Sequence, residues 1–154
     1  MKKGFTLIEL LIVIGIIVIL AALTFVVAKP AIRFAEARNA ERWTTSESIS
    51  RAISNYQIDN DGILPEGIDD IASSVQVLGT DISGCDKTCM AETSVVACLD
   101  LSNDLIEEYL TVIPQDPSTG TEANTGYYVN VDTNNRLIVG ACNPESSETI
   151  TIQR

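Results

Sequence analysis

Hydrophobic and polar positions divide this chain into three regimes. From Phe5 to Ala28 nearly every position is apolar. From Ala31 to Ile58 the pattern turns amphipathic: Ile49, Ala52, Ile53 and Tyr56 stand at i, i+3, i+4 and i+7, a helical stripe that should face a core. Beyond residue 59, short apolar runs alternate with turn residues. The first regime spans 24 positions, about 36 Å as helix, against about 30 Å for a hydrocarbon layer. Helical from Phe5 to Ile58, the chain would form a rod of about 81 Å. A globular domain has no use for that length, whereas a filament core does. Pro30 removes one backbone bond, to the carbonyl of Val26, which predicts a kink near the end of the apolar run. Gly15 is a second soft point within it.

The long helix should stop at Asp59-Asn60-Asp61-Gly62, with Gly62 as terminator and Pro65 just beyond. Residues 66–101 read as a connector, with a short helix from Ile68 through Leu78. A second helix is predicted at Ser102–Leu110, with Ser102 as N-cap and Asp104 in the first turn. Gly126–Asp132 and Arg136–Ala141 flank Thr133-Asn134-Asn135 as a hairpin, placing Tyr128 and Val129 on opposite faces, and Thr149–Gln153 is a third strand. The fold class is α+β: a long N-terminal helix packed against a small antiparallel sheet that buries the Ile49–Tyr56 stripe. The expected organisation is a short basic segment at 1–4, an apolar helix of spanning length at 5–28, its amphipathic continuation at 29–58, and a head at 59–154.

Charge sharpens this division. The full 154 residues carry a net charge of −11, but residues 55–154 hold three cations and 17 acids, a net −14. Such a head repels nucleic-acid phosphates, which argues against a direct nucleic-acid site and for a solvated, exported surface. On the amphipathic helix, Arg33, Glu36, Arg38, Glu41 and Arg42 are expected on the face away from the core, as a solvated surface or as charges matched between neighbouring helices.

The four cysteines, Cys85, Cys89, Cys98 and Cys142, all lie beyond the apolar run, where an oxidising compartment would favour two disulfides. Four cysteines allow three pairings. The expected one is Cys98–Cys142, stapling the connector to the sheet, with Cys85–Cys89 closing a small local loop. Zinc fits poorly, since the chain has no His and no Cys-x-x-Cys pair. The missing His also removes the usual activator of a catalytic thiol or serine, and Lys87 has no accompanying constellation, so no catalytic residue is assigned. The run Asp59–Gly62 lacks the spacing and closing Glu of a calcium loop.

The N-terminus carries the most specific signal. Lys2 and Lys3 precede the apolar run, which fixes a cytoplasmic N-terminus and export of the chain beyond the run. The run is too long for a secretory signal core. Glu9 is anomalous within it: an unpaired carboxylate in a spanning helix costs about 2.5–3.5 kcal/mol by insertion scales and calls for a partner. Lys-Lys-Gly followed by Phe5-Thr6-Leu7-Ile8-Glu9-Leu10-Leu11-Ile12-Val13 resembles the class III signal of type IV pilins and pseudopilins. Tyr56-x-x-Asp59-Asn60-Asp61-Gly62-x-Leu64-Pro65 and Tyr109-Leu110-Thr111-Val112-Ile113-Pro114-Gln115-Asp116-Pro117 resemble later segments of the same family.

The resemblance implies cleavage between Gly4 and Phe5 by a membrane aspartyl prepilin peptidase, and methylation of the new Phe5 amine. It implies that Glu9 meets the Phe5 amine of a neighbouring subunit, making Phe5 and Glu9 the assembly residues. The implied partners are other copies of the chain in a helical filament, prepilin peptidase, the membrane, and pilus or type II secretion machinery. The implied location is a single-pass cytoplasmic membrane protein that passes into an extracellular filament. No cofactor is implied, although some pseudopilins bind calcium, with Asp116 or Asp132 as possible contributors here. The leading reading is a structural filament subunit, not an enzyme. The alternatives are a minor tip pilin, or a single-pass anchored binding protein that does not polymerise.

Overall fold

The computed structural model describes residues 4–154. Met1, Lys2 and Lys3 of the expected leader lie outside the described residues. The chain forms two compact units, Met1–Phe34 and Ala35–Arg154.

The first unit is dominated by helix α1, Leu7–Ala28. Its exposed large apolar side chains, from Leu7 to Val27, each show more than half their surface. Among the described residues of this unit, nothing covers that surface. α1 is long and apolar enough to cross a membrane. At Lys29 the backbone turns left-handed, with φ 43° and ψ 59°, and helix α2 (Pro30–Asp59) begins at the next residue. The expected kink is therefore a one-residue break. Its cause is local: a residue before proline is pushed out of the right-handed helical region, while proline itself fits the first helical position.

The second unit packs the rest of α2 against a four-stranded antiparallel meander. Its strands, in spatial order, are β1 (Gln76–Val77), β2 (Tyr127–Val131), β3 (Leu137–Ala141) and β4 (Thr151–Gln153). The hairpin and the third strand appear where the sequence predicts them. β2 and β3 pair from Tyr127↔Ala141 to Val131↔Leu137, and β3 and β4 from Ile138↔Gln153 to Gly140↔Thr151. The predicted helix end is also present: Asp61 and Gly62 both have positive φ, and the Gly62 N–H closes on the Gln57 carbonyl at 2.7 Å. Ile49 and Ile53 are fully buried against Tyr127, Val129 and Val139, with Tyr56 packed at the margin. Tyr128 points to the opposite face, into a smaller core with Val75, Val77, Cys85 and Cys142. Both faces of the sheet are thus covered.

Four expectations are corrected. No helix forms from Ile68 to Leu78. Gln76 and Val77 form edge strand β1 instead, and Val75 exchanges backbone bonds with Thr93 and Val95. β-branched Val75 and Val77 suit that pleated, buried surface, and the Gln76 side-chain amide ties back to the Gly67 carbonyl at 2.7 Å. The helix expected at Ser102–Leu110 is a single turn, α3 (Ser102–Leu105), and Ser102 lies inside it. Asp100 accepts the Ser102 N–H, Asp104 accepts the Glu66 N–H, and Glu107 at φ 80° turns the chain away from the helix.

The third correction is electrostatic. Arg42 is not on a solvated face: its side chain and that of Asp116 are both fully buried and paired at 2.6 Å. Arg42 donates to both Asp116 oxygens and also reaches Glu145 at 3.0 Å. Arg38 bonds both Glu145 oxygens at 2.6 Å. Asn39 and Trp43 reach Glu148. The α2 face at 38–43 is therefore a polar seam that clamps the Pro144–Glu148 turn, in which Ser146 and Ser147 adopt positive φ.

The cysteine pairing is corrected as well. The bonds are Cys85–Cys98 and Cys89–Cys142. Backbone contacts set this outcome. Cys85 N–H reaches Val96 and Cys98 N–H reaches Asp81, which brings those two stretches of the connector side by side. Met90 and Ala91 N–H both donate to the Cys142 carbonyl, which brings Cys89 to the end of β3. The connector is indeed stapled to the sheet, but through Cys89.

Candidate functional site: the N-terminal processing and assembly segment

Gly4, Phe5 and Thr6 precede α1 as non-helical chain, and Phe5 is 87% exposed. Thr6 is the N-cap, with extended φ −83° and ψ 152°. Its hydroxyl accepts from the Glu9 N–H at 3.3 Å, while Glu9 Oε2 accepts from the Thr6 N–H at 2.8 Å and the Thr6 hydroxyl at 2.6 Å. This is a reciprocal capping box, which satisfies amide donors that a helix start otherwise leaves open. The role of Thr6 was not assigned from sequence. The Thr-x-x-Glu spacing that forms the box was nevertheless present in the chain.

The geometry bears on what scission at Gly4–Phe5 would do. Cutting that bond would free the Phe5 nitrogen but leave the Thr6 amide intact, so the box survives. Both side-chain bonds fall on Oε2, which leaves Oε1 lone pairs for a further donor. Glu9 is thus held at the helix tip and aimed by its own chain, with acceptor capacity to spare. Among the described residues, nothing outside its own stretch of helix backbone lies within 4 Å of where a Gly15 side chain would begin.

The other sequence-selected groups are committed elsewhere. Asp116 is buried. Its desolvation raises the carboxyl pKa, but bonds from Arg42, Ser118 and Thr119 outweigh this and lower it to about 2. Asp132 is lowered to about 2 by the backbone and side chain of Arg136. Both carboxylates named as calcium candidates therefore already face a guanidinium, and they belong to separate parts of the head. All four cysteines are in disulfides.

Residues 1–25 match the family model described as the prokaryotic N-terminal methylation motif. Among curated proteins and solved structures, no match was found. The matched stretch contains Gly4, Phe5, Thr6 and Glu9 and ends before Lys29. Residues 1–25 thus carry a prepilin-type N-terminus of the kind that type IV pilins and pseudopilins bear, and in this chain it precedes a long helix and a small antiparallel sheet.

Proposed function

We propose that this chain is a repeating structural subunit of a type IV pilus or pseudopilus. In this reading prepilin peptidase cuts between Gly4 and Phe5, the Phe5 amine is methylated, and the head is exported while α1 holds the subunit in the membrane. Assembly then moves α1 from lipid into a bundle with other copies. The observation that carries the reading is the pairing of the methylation motif with an α1 whose apolar surface finds no cover in its own unit.

Glu9 supplies the register. A carboxylate and an amine are both costly in a low-dielectric bundle unless they meet. A neighbouring subunit at the correct stagger would bring its Phe5 amine to Oε1. Catalysis is no part of this role.

Replacing Glu9 with Leu tests it. Membrane insertion and cleavage at Gly4 should persist, read by mass spectrometry of the processed N-terminus. Thin uniform fibres should vanish from surface-sheared material under the electron microscope. Normal fibres built from the Glu9→Leu protein would sink the proposal. Wild-type protein that is processed but never found in fibres would favour an anchored, non-polymerising binding protein.

A further inference from the structure

Three segments of the head converge on an open cleft of about 540 Å³ lined by Lys87, Thr88, Met90, Thr119, Thr121, Asn124 and Asn143. Its size falls in the range of small-molecule sites. Its composition is out of keeping with the head around it: no carboxylate lines it, although residues 55–154 carry 17 acids. Asp86 and Glu122 are next in sequence to lining residues, yet neither lines the cleft.

The cation in the cleft also differs from the chain's paired arginines. Arg38, Arg42, Arg51, Arg136 and Arg154 each pair with a carboxylate. Lys87, exposed, has no such pair among the described residues. The walls are fixed. Cys89–Cys142 links the first segment to the third, and Asn143 Nδ2 donates to the Thr88 carbonyl at 3.0 Å. Asn124 Nδ2 donates to the Thr88 hydroxyl at 2.5 Å, and Thr119 Oγ1 donates to the buried Asp116. A site held this way needs little ordering when it is filled.

We propose that this cleft binds a carboxylated sugar. The Lys87 ammonium would take the carboxylate, and Asn143 would offer its Oδ1 and second amide N–H to ring hydroxyls, while the threonine oxygens, whose protons are spent inside the head, would act only as acceptors. The Met90 thioether, 87% exposed, would lie against the apolar face of the ring. A single ammonium suits a monoanion. A dianionic phosphate would bring a second charge into a strongly acidic head with no cation to meet it. More remote acids are screened over about 8 Å at physiological ionic strength, so the local ammonium governs a carboxylate in contact with it. Binding is a property of the unassembled head and does not depend on filament formation.

The test uses the full chain in detergent, titrated by calorimetry with glucuronic acid, glucose and glucose 6-phosphate. Saturable glucuronate binding is expected, about tenfold tighter than glucose. Lys87→Gln should remove that margin, while Lys87→Arg keeps most of it. Met90→Ala should weaken both sugars alike. Polygalacturonate in place of the monosaccharide separates the two sources of the ligand: tighter binding per site points to a polymer, equal binding to a free sugar acid. The proposal is overturned by absence of saturable glucuronate binding, by glucuronate affinity indifferent to Lys87→Gln, or by tighter binding of glucose 6-phosphate.

Discussion

The guanidinium of Arg42 and the carboxylate of Asp116 are both out of water, and each is tolerable only because the other is present. Removing one partner of such a pair typically costs about 3–5 kcal/mol, because the other charge is left buried, whereas replacing both with apolar groups is often neutral. Arg42→Met should therefore lower the urea-derived stability of the chain by about that amount. The double variant Arg42→Met/Asp116→Leu should recover most of it. A double variant as unstable as the single would show instead that the hydrogen bonds of Asp116 to Ser118 and Thr119 dominate the site. Glu145 offers a contrast, since it is partly exposed and shared between Arg38 and Arg42. Its loss should be milder.

Among the elements, the two cystines invite a direct comparison. Cys85–Cys98 spans 13 residues and Cys89–Cys142 spans 53. Loop-closure entropy assigns about 3 kcal/mol to the first and about 4 kcal/mol to the second. The Cys89→Ser/Cys142→Ser variant should thus be less stable than Cys85→Ser/Cys98→Ser by about 1 kcal/mol in non-reducing urea titrations. The elements also show what could be read in advance. The Ile49–Tyr56 stripe, the hairpin around Asn134 and the stop at Gly62 were legible because period, turn residues and a positive-φ glycine act locally. Edge strand β1 was not, because it depends on backbone partners at Thr93, Val95 and Tyr128 far along the chain. The burial of Arg42 was hidden for the same reason: its partner is 74 residues away. The cystine pairing arose from backbone contacts that spacing does not encode. At the N-terminus the residues of the candidate site are contiguous, so the motif could be read whole.

Across the whole molecule, the clamped carboxylates set the response to acid. Asp116, Asp132 and Glu145 each fall to about 2 in the folded chain, from ordinary values of 3.8 for Asp and 4.5 for Glu. A carboxyl with a depressed folded pKa stabilises above its unfolded value, and that contribution is lost as pH falls through the folded one. For Asp116 the gap is worth about 2 kcal/mol. The urea midpoint should hold from pH 7 to about 5 and then decline between about 4.5 and 2. Relief of self-repulsion in the acidic head works in the other direction. The Arg42→Met/Asp116→Leu chain keeps that relief without the pair, so its profile should be flatter. A steep decline retained in the double variant would assign the acid response to other groups.

The break at Lys29 has a consequence for how the helical backbone can fail. Helix melting spreads residue by residue because each lost bond loosens the next, while starting afresh beyond a gap requires a new and unfavourable nucleus. With Lys29 left-handed and Pro30 lacking an N–H, the ladder of bonds in α1 has no continuous path into α2. The junction is a firebreak: in the passage from membrane to filament proposed above, α1 could unwind without that unwinding running on into α2.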